Sequence, residues 1–247
     1  LSCDGLTDCA DGADGPNGLE GVTAAETGVF STLGFTPGAG ADGTSGEPGQ
    51  NGLAGGDGAM DSLCVDVCTG GSGPNCGAIL WGPQRGGKGT CGCGGAGGPQ
   101  GRAGRGGGSA VGILTDGTVS LAAVQLTIGD AGSGSTGGDG APGYQGQDGA
   151  PGVDSSCHLS SCSLVNGNCE ATGMLQTLPG GTAGGRGGLG GKGGRGGDGA
   201  GGFSLGWVLL GDGSVLADSK TQVDPGAPGQ GAGSAPSGTA GESLTQP

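Results

Sequence analysis

The sequence predicts a mostly non-α fold: a bundle of polyglycine II helices (left-handed, three residues per turn) interleaved with short β-strand pairs, forming disulfide-stapled repeat modules. A backbone with three residues per turn places every third side chain on one edge, and glycine there lets another backbone approach closely. Packed side by side, such segments can pair each N–H with a neighbouring carbonyl. Glycine occupies every third position, without interruption, in the tracts 12–21, 40–58, 92–107, 134–152 and 184–202.

The last of these tracts is the richest in glycine. It reads Gly-Gly-x five times from Gly184 to Gly197, so two of its three edges are bare and two faces can be buried against other backbones. A collagen strand has one such edge, and collagen also needs three chains, long Gly-X-Y runs and abundant proline. We therefore favour the polyglycine II bundle over collagen. The predicted packing glycines of the two basic tracts are Gly92, Gly95, Gly98, Gly101, Gly104, Gly107, Gly184, Gly187, Gly190, Gly193, Gly196, Gly199 and Gly202.

An internal repeat organises the chain. The segment Asp61–Cys64 recurs 93 residues later as Asp154–Cys157, and Gly112 recurs as Gly206. Self-similarity over such a period indicates units that stack on their neighbours. We predict a truncated N-terminal module at 1–60 and two full modules at 61–153 and 154–247.

Each full module is expected to contain a strand pair joined by a tight Asp-Gly turn. The alternation of apolar residues slips its phase between Ala123 and Val124, which predicts a bulge there. No segment shows helix caps with a 3.6-residue period. The expected pairs are Ala110–Leu114 with Thr118–Ile128 and Phe203–Leu210 with Ser214–Val223, with weaker strands at Val22–Phe35 and Ala78–Trp81.

The ten cysteines are even in number and lie mostly between the glycine tracts. A chain with little apolar side chain needs covalent links, and disulfides persist outside the cytosol. We therefore expect a secreted, processed protein of the extracellular space or cell surface, with up to five bridges whose pairing stays open. The first residue is not methionine, which favours a processed product or fragment. The disulfide candidates are Cys3, Cys9, Cys64, Cys68, Cys76, Cys91, Cys93, Cys157, Cys162 and Cys169.

Charge limits the partners. The net charge of −14 argues against nucleic-acid binding, and no apolar run approaches the roughly 20 residues of a membrane span. Seven of the eight basic residues lie in or just before the tracts 92–107 and 184–202, whereas 40–58 and 134–152 carry only acids. We expect basic and acidic tracts to run antiparallel and adjacent. The alternative is that the charges are simply solvated.

The sequence offers little chemistry, and we predict no enzyme and no catalytic residue. The single histidine, His158, follows Cys157 without any recognisable nucleophile–base pattern, and a zinc site at Cys91–Cys93 would compete with oxidation. Tyr144 alone among the aromatic residues lies on a glycine tract, where it could be an exposed contact. No cofactor is expected apart from a weak calcium site, the alternative being a solvated acidic turn; its candidate ligands are Asp4, Asp8, Asp11 and Asp14.

Two resemblances follow from these motifs. Segments such as Gly137–Gly143, interleaved with cysteines, resemble the glycine-rich antifreeze proteins of springtails, which implies disulfide-tied polyglycine II bundles and ice binding. The whole module resembles the glycine-rich secreted repeat proteins of myxobacteria and related bacteria, in which Gly-Gly-x runs alternate with segments like Ser204–Trp207 and Pro225–Gly229. That likeness implies a surface or matrix protein.

We therefore expect an extracellular structural protein that self-associates as a homo-oligomer or filament, as the subunit of a fibre, filament or coat. Open repeat ends can join head to tail. The first alternative is an ice-binding protein. The second is an adhesin that displays the cysteine loops 64–76 and 157–169.

Overall fold

The computed structural model describes residues 10–61, 64–65, 67–70, 76–79, 84–166 and 168–246, and within 61–84, 157–165 and 168–175 it describes the backbone. The described residues form strands and extended segments without any helix. The strands are β1 (Gly28–Ser31), β2 (Gly34–Pro37), β3 (Met60–Asp61), β4 (Cys64–Val65), β5 (Val67–Gly70), β6 (Cys76–Ile79), β7 (Gln84–Arg85), β8 (Ala110–Thr115), β9 (Thr118–Leu121), β10 (Gln125–Thr127), β11 (Ser155–Val165), β12 (Asn168–Leu178), β13 (Ser204–Leu210), β14 (Ser214–Ala217), β15 (Gln222–Asp224) and β16 (Ala240–Gln246).

The chain divides into two compact units, which we call the hairpin unit and the stack unit. The divisions cut across the three predicted modules, because each unit takes residues from all of them. The hairpin unit comprises Leu1–Gly15, Pro48–Ala96 and Tyr144–Gly190, and the stack unit comprises Pro16–Glu47, Gly97–Gly143 and Gly191–Pro247.

Antiparallel strands characterise the hairpin unit. β11 and β12 pair along their whole length, from Ser155 opposite Leu178 to Val165 opposite Asn168, and β4 pairs with the other edge of β11. β5 pairs with β6, and β3 with β7. The segment 157–169, which we expected to be a loop, is therefore mostly the end of a long hairpin. The expected strand Ala78–Trp81 is present as the end of β6, while its residues 80–81 lie outside the described ranges.

Parallel strands characterise the stack unit, together with one antiparallel hairpin of β1 and β2. β1 lies within the weaker strand candidate 22–35, and β2 begins there and continues to Pro37. The strand pairs predicted at 110–128 and 203–223 have strands close to the predicted positions, but the predicted pairing within each module is wrong. β8 pairs with β13, β9 with β14 and β10 with β15, all parallel. The Asp-Gly bends therefore do not join paired strands. Hydrogen bonds instead join equivalent strands of successive repeats. At the predicted bulge the strand breaks, with Ala123 at φ 54°.

The core of the stack unit is small and centred on β13. Leu205 and Val208 are at most 2% exposed, and Phe30 and Phe203 complete their cluster. The ring centroids of Phe30 and Phe35 lie 4.7 Å apart, and the rings of Phe35 and Phe203 are nearly perpendicular with centroids 5.9 Å apart. Burial of these few large side chains attaches the β1–β2 hairpin to β13.

Glycine tracts surround a central segment in each unit. In the stack unit the segment 191–202 is hydrogen-bonded to 16–24 and 97–107, which run parallel to it, and to 38–47 and 132–143, which run antiparallel. In the hairpin unit the segment 184–190 is likewise hydrogen-bonded to two parallel and two antiparallel segments. The acidic and basic tracts are antiparallel neighbours as expected; Gly46 donates to Gly98 in the stack unit and Gly49 to Gly95 in the hairpin unit.

Candidate functional site

The stacked repeats of the stack unit form the candidate functional site, and their register is regular. Ser204 lies beside Ala110, Ser214 beside Thr118, and the stack continues from β10 to β15. We call β8, β9 and β10 the first layer and β13, β14 and β15 the second layer. Side chains repeat across the layers: Val215 lies beside Val119, Gln222 beside Gln125, and the Thr118 and Ser214 hydroxyl oxygens are 3.0 Å apart. Each layer is therefore a template for the next.

The repeated glycines Gly112 and Gly206 have a shared packing role. A Cβ atom on Gly112 would lie 2.8 Å from Cδ1 of Ile128, and one on Gly206 would lie 2.6 Å from Cγ1 of Val223. Real Cβ atoms do not approach carbon so closely, because repulsion rises steeply inside van der Waals contact. Glycine in β8 thus makes room for Ile128, which directly follows β10, and glycine in β13 makes room for Val223 in the middle of β15.

Asp218 joins the connections of the two layers. Its carboxylate Oδ1 accepts hydrogen bonds from the N–H of Ala123, 3.0 Å away and in the other layer, and from the Thr221 hydroxyl at 2.9 Å and the Lys220 N–H at 3.1 Å. The Ala123 bond, together with these local donors, lowers the pKa of Asp218 below its ordinary value. Sequence reasoning missed this residue, although an aspartate after a short strand is a common acceptor in turns.

The second layer has an open edge. Within the described chain β14 pairs only with β9, and β15 only with β10. Ser214 and Asp218 donate their N–H groups to Gly117 and Leu121 of the first layer. Because successive residues of a strand alternate direction, the N–H groups of Val215 and Ala217 point to the outer edge. Such an edge is a template for another strand.

Two aspartates of the calcium candidate, Asp11 and Asp14, bond to a neighbouring glycine tract. In the hairpin unit the Oδ1 atoms of Asp11 and Asp14 accept the N–H groups of Arg186 and Leu189, each at 2.8 Å. In the stack unit Asn17 Oδ1 accepts the Lys192 N–H at the same distance. Asp4 and Asp8 lie outside the described ranges, and the described residues contain no group of three or more potential metal ligands. The carboxylates of Asp11 and Asp14 thus accept backbone hydrogen bonds, a role that sequence reasoning did not anticipate.

The buried carboxylate in the described chain is Asp198, which the sequence analysis did not single out. Asp198 is 4% exposed, and its Oδ1 accepts the Gly137 N–H at 2.9 Å and the Arg195 guanidinium at 2.7 Å. A groove of about 280 Å³ nearby is lined by Lys192 and Arg195 but also by Glu20 and Asp139. The formal charges of these four side chains sum to zero.

The predicted packing glycines lie against neighbouring backbones. A Cβ atom on Gly98 would overlap the Ala141 carbonyl oxygen, and one on Gly193 would overlap that of Pro99. The second glycine edge of the central tract has its own neighbour, since a Cβ on Gly194 would overlap the Leu19 carbonyl oxygen. Gly190 donates its N–H to the Tyr144 carbonyl at 2.9 Å. Both bare edges predicted for 184–202 therefore face other chain segments.

Tyr144 and the cysteines complete the predicted residues. Tyr144 is 65% exposed on its tract, and its role as a contact stays a prediction. Cys91 and Cys93 are exposed free thiols, so the structure does not show the bridges expected for them. Cys64, Cys68, Cys76, Cys157, Cys162 and Cys169 lie on strands described by their backbone, as does His158, and Cys3 and Cys9 lie outside the described ranges.

Comparison of the chain with protein-family models, curated proteins and solved structures gave no match. The described ranges contain no helix that is long and apolar enough to cross a membrane.

Proposed function

We propose that this protein is an extracellular structural protein, a repetitive subunit that self-associates into a surface fibre, filament or coat. The observation that carries the proposal is the parallel, in-register stacking of the second layer on the first. At β14 and β15 this contact can be made again by the first layer of another copy, because the outer edges of these two strands lack a partner strand in the described chain. A head-to-tail contact of this kind does not close and generates a filament.

We further propose that the glycine tracts are polyglycine II helices. Their hydrogen bonds recur every third residue, as in the series that joins Gly95 to Gly188 in the hairpin unit and Gly98 to Gly191 in the stack unit, both at 2.8 Å. Ordering a residue costs about 1–2 kcal/mol, and each backbone hydrogen bond returns a net of roughly 0.5–1.5 kcal/mol. A bundle of this kind therefore depends on nearly complete backbone pairing, which suits a rigid structural element.

Disulfides between the glycine tracts are the second source of rigidity in this proposal. The ten cysteines and the small apolar core support an oxidised, extracellular protein. Mass spectrometry after alkylation, with and without prior reduction, measures how many thiols are free. Ten alkylated thiols in protein secreted through an oxidising compartment would contradict the stapled bundle.

Ice binding remains the alternative, although an exposed edge argues against it. An ice-binding face needs regular small side chains, but the edge that begins at Pro16 carries Leu19 and Val22, which are 74% and 73% exposed. Thermal hysteresis of the purified chain would favour this alternative. Receptor or glycan binding that is lost on deletion of 157–169 would favour an adhesin.

Sedimentation velocity over a concentration series tests the structural proposal, with negative-stain imaging of the large species. We expect growth into filaments that shorten on reduction. Ala217→Pro removes an outward-pointing N–H of β14 and should reduce assembly at least about tenfold, whereas Ala217→Ser keeps that donor and is the matched control. A chain that stays monomeric at all concentrations, with and without 240–246, overturns the proposal.

A further inference from the structure

The outer edge of β13 is covered, in contrast to the edges of β14 and β15. β16 runs parallel to β13, with Ala240 beside Ser204 and Gln246 beside Leu210. It therefore holds the position of the first strand of a third layer. The second and third strands of that layer are absent from the described chain.

β16 has the same register on β13 as β8, and it shares the residue type of β8 at three of six aligned positions. Ser204 has Ala110 on one side and Ala240 on the other; Val208 lies between Leu114 and Leu244. Leu209 likewise lies between Thr115 and Thr245. The edge of β13 that binds β16 thus accepts a parallel strand in the register that β8 has on the other edge.

β16 is less tightly held than the strand it covers. Ser204, Leu205, Trp207 and Val208 of β13 are buried, whereas no residue of β16 is buried and four of its seven residues are exposed. Beyond its strand pairing, β16 is attached by Leu244, which packs against the apolar cluster, and by Gln246. Gln246 Oε1 accepts the Phe30 N–H at 2.8 Å, and its backbone carbonyl accepts the Gly211 N–H at 3.1 Å. Exchange of β16 for another strand therefore uncovers little apolar surface.

We propose that β16 is a capping strand, which blocks addition of a second copy until β16 leaves β13. The incoming copy would place its β8 on β13, its β9 on β14 and its β10 on β15, repeating the contact between the two layers within one chain. This inference rests on the proposed function, because it assigns the regulation of the same assembly edge. A second copy is the occupant that the internal stack specifies, because the outer edge of β13 already accepts β16, a strand in the register of β8.

The test compares the full chain with a variant that ends at Thr239, using sedimentation velocity and tryptophan emission. Both chains carry Trp81→Phe, so that emission reports Trp207, which is 6% exposed; retained blue emission then shows that the truncated stack is folded. We expect truncation to lower the concentration at which large species form by at least about tenfold. A peptide of residues 240–246 added to the truncated chain should reverse this change, and a peptide of the same composition in scrambled order should not.

The outcomes separate the two proposals. Equal assembly of the full and truncated chains overturns the capping role and leaves the structural function standing. The capping role is also overturned if the native peptide fails to reverse assembly of the truncated chain. The same holds if the scrambled peptide reverses that assembly equally well. In the full chain, Ser243→Pro weakens β16 without removing it and should shift assembly in the same direction as truncation.

Discussion

Cγ1 of Val223 lies 2.6 Å from the position that a Cβ atom would take on Gly206, so a glycine in β13 determines how closely β15 can pack. The same relationship holds between Gly112 and Ile128 in the first layer. We therefore expect Gly206→Ala to destabilise the stack unit by about 1–3 kcal/mol, because the added methyl group must displace Val223 or the strand.

Thermal unfolding followed by circular dichroism measures this effect. Gly117→Ala is the matched control, since no atom lies within 4 Å of a Cβ at that exposed bend. Equal stability of the two variants would show that β15 does not pack against β13 as described.

The central tract gives a second prediction. Gly193→Ala should lower the melting temperature strongly, because its Cβ would overlap the Pro99 carbonyl oxygen and push the hydrogen-bonded segments away from each other. Gly138→Ala belongs to a neighbouring tract, but its Cβ would have Arg102 N at 3.6 Å as its nearest contact and should be tolerated. Amide hydrogen exchange of 97–104 in both variants shows whether the network opens. Similar protection in the two would contradict the packing.

Asp14 distinguishes a backbone acceptor from a calcium ligand. Asn17 makes the same contact with an amide oxygen, so Asp14→Asn should leave stability nearly unchanged, whereas Asp14→Ala leaves the Leu189 N–H unpaired and should cost about 1 kcal/mol. Both variants are measured by thermal unfolding with added calcium and with chelator. Stabilisation by calcium that Asp14→Asn abolishes would favour the metal site instead.

Asp218 predicts a dependence of stability on pH. Its pKa is lowered in the folded state, chiefly by the Ala123 N–H. The ionised carboxylate therefore stabilises the folded chain more than the protonated carboxyl does. Its contribution is complete above the ordinary aspartate pKa of 3.8 and is lost as pH falls through the lower, folded-state pKa. The melting temperature of the wild type minus that of Asp218→Ala should therefore shrink on acidification. A constant difference from neutral pH to below that range would contradict the assignment.

Local pattern predicted the elements better than their partners. The apolar runs bounded by glycine located β8 and β13, and the Asp116-Gly117 bend follows from the turn preference of that pair. The pairing failed because a short strand can pair within its own module or with its equivalent in the next one. Local sequence favours both arrangements, and hydrogen bonds between distant segments select the second.

The sequence alone determined that the tracts are extended and that 184–202 has two faces for other backbones, because glycine spacing is a one-dimensional property. Only the tertiary structure decided that this tract has both parallel and antiparallel neighbours, that Asp11 and Asp14 accept its N–H groups, and that Asp198 is buried beside Arg195. It also placed β16 on β13. These contacts join residues far apart in the chain, and their free energy depends on which backbone groups remain unpaired after folding, which a single segment cannot show.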